Sequence, residues 1–143
     1  GGRMAADGDF LGRAVTQACA CIAGHLIEES VKLRTFVDAE GQPLNGDNRY
    51  VIHFSKDEIP VAHSFWSVTL YDERFNLVFN EAGRYSFGDK VPGLKYGEDG
   101  SLTIYIQPDQ PQGQDFNLFL RTYFPGPKLL DQSYAAPAVH KVK

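Results

Sequence analysis

Arg84-Tyr85-Ser86-Phe87-Gly88-Asp89 packs a cation, two aromatic rings, a flexible glycine and a carboxylate into six residues. Such a group can present an arginine to an anion, or it can pin its own loop through an Arg84–Asp89 ion pair. The four histidines, His25, His53, His63 and His140, show neither His-x-His nor His-x-x-x-His spacing. The sequence therefore offers no metal set, and neither a metal nor a cofactor is expected. No Gly-x-Ser-x-Gly elbow is present, and His63 cannot face its neighbour Ser64 along an extended strand, so a nucleophilic triad has no support. A metal-independent hydrolase or lyase stays open if His53 or His63 acts as the acid or base with Arg84 or Arg121 stabilising developing negative charge. The acidic pairs Glu28-Glu29, Asp57-Glu58, Asp72-Glu73 and Glu98-Asp99 are sequence neighbours and read as solvated turns. Gly83, Gly88, Gly93, Gly97 and Gly100 are scattered with no helix after them, which is not a phosphate-binding loop.

The elements that must position these residues change character near residue 34. From Asp9 to about Ser30 the pattern is helical. Asp9 is the expected N-cap, Phe10, Ala14, Ala18, Cys21 and Ile22 fall on one face, and Gly24 offers an end. Cys19 and Cys21 sit two apart on that helix, point away from each other and read as packing residues. After Arg34 the period becomes two, which predicts strands at 35–38, 50–54, 64–71, 77–80, 101–107, 115–124 and 139–142. Asp38-Ala39-Glu40-Gly41, Asn45-Gly46 and Asp99-Gly100 supply turn chemistry between them, and Pro108 to Gln114 reads as a surface loop.

Alternation then assigns faces. Tyr50, Ile52 and Phe54, then Trp66, Val68 and Leu70, then Leu102, Ile104 and Ile106, then Phe116, Leu118, Leu120 and Phe124 form the expected core. The opposite faces carry Val51 and His53; Ser67, Thr69 and Tyr71; Thr103, Tyr105 and Gln107; and Asn117, Phe119, Arg121 and Tyr123. A sheet face with this many rings beside cations has the make-up of a ligand-pocket wall, although Tyr and Thr also favour strands for their own sake. The candidate ligand-binding residues are His53, Tyr71, Arg84, Tyr85, Tyr105, Arg121 and Tyr123.

At 143 residues the chain has the length of one domain, with residues 1–8 a flexible start or cloning remnant and 9–143 a single unit. Its net charge of -4, without a basic run, argues against a nucleic-acid partner. No stretch approaches the roughly 20 apolar residues of a membrane span, and no signal peptide is visible. The expectation is a soluble protein, cytoplasmic or periplasmic.

Phe65-Trp66-Ser67-Val68-Thr69-Leu70-Tyr71-Asp72, the 84–89 segment, Asp99 to Gln107, Phe116 to Pro125 and Leu129 to Lys143 together resemble the bacterial domain-of-unknown-function family 1214. The resemblance runs from about Asp9 to the C-terminus. It implies an all-β fold with an N-terminal helix, a jelly-roll-like antiparallel β-sandwich, here as a stand-alone version of a domain usually found at the C-terminal end of larger bacterial proteins. Two departures stand out: the 108–114 loop is shorter than the family's Asn-Trp-Leu-Pro-Ala-Pro-like stretch, and Tyr134 replaces a usual Trp. The family carries no agreed activity, so three functions stay open. The first is a non-enzymatic module binding a small molecule or a protein partner. The second is the His/Arg hydrolase or lyase, and the third an assembly domain forming a homodimer.

Overall fold

The computed structural model describes residues 8–19, 25–80, 83–107 and 113–142. Helix α1 covers Phe10–Cys19, and Asp9 Oδ1 accepts the Gly12 N–H at 2.8 Å, the N-cap bond expected of it. Residues 25–29, at the end of the predicted helical stretch, are not helical; Cys21, Ile22 and Gly24 lie outside the described residues. Of the expected apolar face, Phe10 and Ala14 are exposed, as are their neighbours Leu11 and Val15.

Seven strands follow: β1 (Ser30–Thr35), β2 (Arg49–Phe54), β3 (Ala62–Asp72), β4 (Ser86–Gly88), β5 (Leu102–Ile106), β6 (Phe116–Pro125) and β7 (Val139–Val142). They form two antiparallel sheets, a four-stranded one ordered β1-β6-β3-β4 and a three-stranded one ordered β5-β2-β7. The two sheets share one core. The Tyr50 ring of β2 meets Phe116 of β6 edge-on at 5.6 Å, and Phe54 of β2 meets Trp66 of β3 at 5.9 Å. Ile52, Leu102, Ile104, Ile106, Leu118, Leu120 and Val68 are buried with them. The chain is thus all-β with one short N-terminal helix and a single-turn helix α2 at Pro127–Leu130.

Two expected strands move. The first begins at Ser30 rather than 35, because Val31, Leu33 and Thr35 alternate with Lys32 and Arg34 directly after the helical period and are easily absorbed into it. The 77–80 segment contributes only an isolated bridge between Leu77 and Tyr71, and β4 forms later, at Ser86–Gly88. Phe124, placed in the core by alternation, is 58% exposed. Its φ of 49° breaks the alternation opposite the β3 irregularity between Ala62 and Phe65. Thr122 stays inside, donating from Oγ1 to the Val31 carbonyl at 3.1 Å.

Leu44 is completely buried although it lies between turns. Its N–H donates to the Phe36 carbonyl and its own carbonyl accepts from Phe116, which stitches the 43–46 segment to β6. The C-terminal segment is anchored by Tyr134, whose hydroxyl donates to the Glu58 carbonyl at 2.7 Å; burial pushes that phenol above its ordinary value. Glu58 ends the 3-10 turn Lys56–Glu58 and accepts from both the backbone and the hydroxyl of Ser55, which holds its carboxyl low.

Candidate functional site on the outer face of the four-stranded sheet

Strand β6 runs through the middle of the larger sheet, so its register decides what gathers on the face away from the core. Across from Arg121 lie Ser67 on β3 and Lys32 on β1. Across from Phe119 lie Thr69 and Arg34, and across from Tyr123 lie Phe65 and Ser30. Three cations, Lys32, Arg34 and Arg121, therefore meet on one face of a chain whose net charge is -4.

Arg121 is half-buried and fixed at its tip. Its Nη2 donates to the Tyr71 hydroxyl at 2.9 Å, and its guanidinium carbon lies 4.8 Å from the Phe119 ring centre and 5.0 Å from that of Tyr71. Tyr71 in turn stands edge-on to Phe119 at 5.3 Å. Arg34 packs on the same group of rings, 4.6 Å from Phe36, 5.2 Å from Phe75 and 5.4 Å from Phe119. All these separations fall within the roughly 6 Å over which a ring quadrupole attracts a cation. Among the described residues, neither guanidinium pairs with a carboxylate. Two acidic residues near the face bind backbone: Glu29 Oε2 accepts from Leu26 N–H, and Asp72 Oδ1 accepts from Arg74 and Asn76 N–H at 2.9 and 2.7 Å.

The Asp72 turn also places Phe75. Its N–H donates to the Asp72 carbonyl, and its φ is 64°, a left-handed conformation that a bulky side chain rarely adopts. The turn holds the Phe75 ring edge-on to Phe119 at 6.3 Å while leaving it 49% exposed. Hydrogen bonding led by the Asn76 N–H keeps the Asp72 carboxyl below its ordinary value, so the turn is charged and intact at neutral pH.

The polar chemistry of this face is one-sided. Arg121 has only donors, and one of its five N–H bonds goes to Tyr71. Because the Tyr71 oxygen accepts there, its own O–H is left to donate outward. A planar guanidinium, a phenol and flat apolar rings together can take a carboxylate in the plane of the guanidinium and an apolar or aromatic body against Phe119, Phe75 and Phe36.

Of the residues singled out from the sequence, the fold brings together Tyr71, Arg121 and Tyr123 and separates the rest. Tyr123 is covered on this face, stacked on Phe65 at 4.5 Å with His25 edge-on at 6.0 Å. His53 and Tyr105 belong to the three-stranded sheet, on the side away from its buried residues, with His53 Nδ1 3.0 Å from Thr103 Oγ1. His53 thus has no arginine beside it, and His63 sits exposed on β3. Arg84 and Tyr85 are exposed ahead of β4, where the Arg84 N–H and carbonyl bond the Asn80 side chain. Arg84 does not pair with Asp89. Asp89 Oδ1 instead accepts the Trp66 N–H at 3.0 Å, and Gly88 lies so close to β3 that a Cβ would collide with the Trp66 carbonyl oxygen. Through Asp89 and Gly88 the 84–89 segment docks β4 closely on β3. Sequence reasoning puts Phe119 on this face without singling it out, and misses Arg34, Phe36 and Phe75; Arg34 belongs to the misplaced first strand, and Phe75 has an unusual φ.

Residues 29–127 match the family model described as a protein of unknown function, DUF1214. The chain belongs to this family. The matched region takes in β1 to β6, including the Phe65–Asp72, 84–89, 99–107 and 116–125 segments, while α1 and β7 lie outside it. The VPA0106 protein from Vibrio parahaemolyticus, known from a crystal structure, is similar at 26% identity with a TM-score of 0.74. The similarity covers 92% of this chain and 35% of that one, so the chain spans about a third of the length of this relative. No curated protein matches significantly. The family description assigns no activity, so the chemistry of the DUF1214 face has to be argued from its residues. Among the described residues no group of three or more His, Cys, Asp or Glu side chains converges as a metal site, and no helix is long and apolar enough to cross a membrane.

Proposed function

We propose that this DUF1214 domain is a non-enzymatic module that binds a small organic anion, a carboxylate joined to an apolar or aromatic body, on the outer face of its four-stranded sheet. The observation that carries the reading is Arg121: a half-buried guanidinium held by the Tyr71 hydroxyl and two rings, with no carboxylate partner among the described residues. An arginine fixed in this way gives up little rotamer entropy when it binds, and the surrounding rings lower the local dielectric that strengthens the ion pair. The neighbouring Arg34 adds positive potential, which favours encounter with an anion.

The same reading takes the two sheets as a jelly-roll-like antiparallel β-sandwich. The ring contacts of Tyr50 with Phe116 and of Phe54 with Trp66, each joining one sheet to the other, support it. Such an arrangement leaves the face of Arg121 as a rigid platform built on strands, which positions a site better than loops do.

The experiment is a titration of the labelled protein with benzoate, followed by amide and arginine side-chain NMR. Saturable shifts centred on Arg121, Tyr71 and Phe119, lost in Arg121→Ala, are expected. No saturable shift with benzoate, or shifts that survive Arg121→Ala, would overturn the proposal.

A further inference from the structure

A second and separate feature lies on the other side of β1 and β6. Between the sheets is a pocket of about 250 Å³, partly open to solvent, walled by Leu33, Ile52, Phe54, Val68, Leu118 and Leu120 and bounded by residues 136–139. Its lining draws on β1 and β7, the end strands of the two sheets, so it lies where neither sheet has a further strand to fill the space.

The Asp38 and Thr35 side chains on its border are tied to neighbouring backbone. Asp38 Oδ1 accepts from Glu40 and Gln42 N–H, both at 2.9 Å, and Thr35 Oγ1 donates to the Val37 carbonyl at 2.8 Å. The Arg34 guanidinium is on the opposite face of β1, over Phe36, Phe75 and Phe119. An ordered water needs two to four polar partners, and a void lined by aliphatic side chains does not supply them. Interiors are otherwise close-packed, with few voids larger than a water molecule.

One side of the pocket carries only small side chains. Ala135, Ala136, Pro137 and Ala138 make no hydrogen bond among the described residues. They are anchored on either side, by Tyr134 at Glu58 and Lys128 and by the Val139 carbonyl, which accepts from Ala39 N–H. Ala136 and Ala138 are exposed and line the pocket, so this span of small side chains and unladdered backbone forms part of its rim.

We infer that this cavity is a second ligand site, independent of the arginine face, that takes an uncharged apolar molecule entering past Ala136 and Ala138. Its size sets the scale: a dry cavity of about 150 Å³ holds benzene, so in proportion 250 Å³ holds about ten carbons. A ligand carboxylate inside would meet aliphatic side chains and the Asp38 carboxylate and would have to lose its ionisation, which disfavours a charged ligand.

The test uses naphthalene and 1-decanol as probes with methyl-labelled protein. Saturable shifts are expected at the Leu33, Ile52, Val68, Leu118 and Leu120 methyls, with direct magnetisation transfer from naphthalene protons to Val68 and Leu118. Decanoate at pH 7 should bind at least tenfold more weakly than decanol. The double variant Ala136→Leu/Ala138→Leu, at two exposed positions, should weaken naphthalene at least tenfold, and Arg121→Ala should leave it unchanged. Absence of saturable methyl shifts, or of transfer to Val68 and Leu118 in the unmodified protein, would overturn the inference, as would decanoate binding as well as decanol. Because Arg121→Ala separates the two sites, failure here and failure of the anion site are distinguishable.

Discussion

Replacing Gly88 by Ala tests whether the 84–89 segment serves the fold. A Cβ at this position would collide with the Trp66 carbonyl oxygen and lie 2.9 Å from Ser67 Cα, both of them backbone atoms of the paired strand β3. No rotamer change can relieve that contact; β4 must move away from β3. Overpacking a core costs about 1 to 3 kcal/mol, and with no side chain free to yield the cost belongs at the upper end, about 3 kcal/mol. For a domain of this length each kcal/mol corresponds to about 3 to 4 °C in Tm, so Gly88→Ala should melt about 10 °C lower. Gly41→Ala is the control: Gly41 has φ 78° with no atom within 4 Å of where an added methyl would stand, so only the backbone conformation is penalised, by about 1 to 2 kcal/mol. The assay is thermal and urea unfolding followed by the near-ultraviolet signal of Trp66, the single tryptophan, which is buried beside this junction. A Gly88→Ala protein no less stable than Gly41→Ala would refute the strand-docking account.

Other perturbations separate structural from ligand-binding roles. Asp89→Ala removes the acceptor of the Trp66 N–H and should cost about 1 to 3 kcal/mol in urea unfolding, whereas Arg84→Ala should cost less than about 0.5 kcal/mol because its side chain is exposed and unpaired with Asp89. Tyr134→Phe loses the 2.7 Å bond to the Glu58 carbonyl and should cost about 1 kcal/mol. Because burial raises the Tyr134 pKa, its contribution in the parent protein is complete below the ordinary tyrosine value of 10.0 and is lost as pH rises through the folded-state value. The Phe variant should lack that alkaline loss, as alkaline unfolding curves would report. For Asp72 the sign reverses: its depressed pKa means the turn is fully supported above 3.8 and weakens as pH falls through the lower folded value. The Phe75–Phe119 ring contact, seen by proton cross-relaxation, should therefore persist at neutral pH and fade as pH falls below 3.8.

Most of the β architecture is legible in the sequence because period-two alternation is a direct consequence of burying one strand face. β2, β5 and most of β3 and β6 follow it, and so do Tyr50, Ile52, Trp66, Ile104 and Leu118 in the core. What alternation cannot see is where backbone departs from it. Phe124 leaves the core through a positive φ, Leu44 enters it from between two turns, and β1 hides behind the helical period that precedes it. The candidate site is half legible for the same reason. Tyr71 and Arg121 share a face by parity, but their meeting depends on the β3–β6 register, in which Arg121 opposes Ser67 rather than Tyr71. Arg34 and Phe75 join them from a strand and a turn whose positions only the folded chain sets. The 84–89 segment reads as chemistry because close packing of a glycine against backbone leaves no mark in sequence distinct from flexibility.

The central claim, that Arg121 reads a carboxylate on this face, is tested most directly by a chemical double cycle. Affinities of benzoate and benzamide would be measured by NMR titration for the parent protein and for Arg121→Ala. A charge-assisted hydrogen bond is worth about 1.5 to 3 kcal/mol, so the parent should prefer benzoate by about tenfold or more and Arg121→Ala should lose that preference. Equal affinity for benzoate and benzamide in the parent, or a preference that survives in Arg121→Ala, would contradict it.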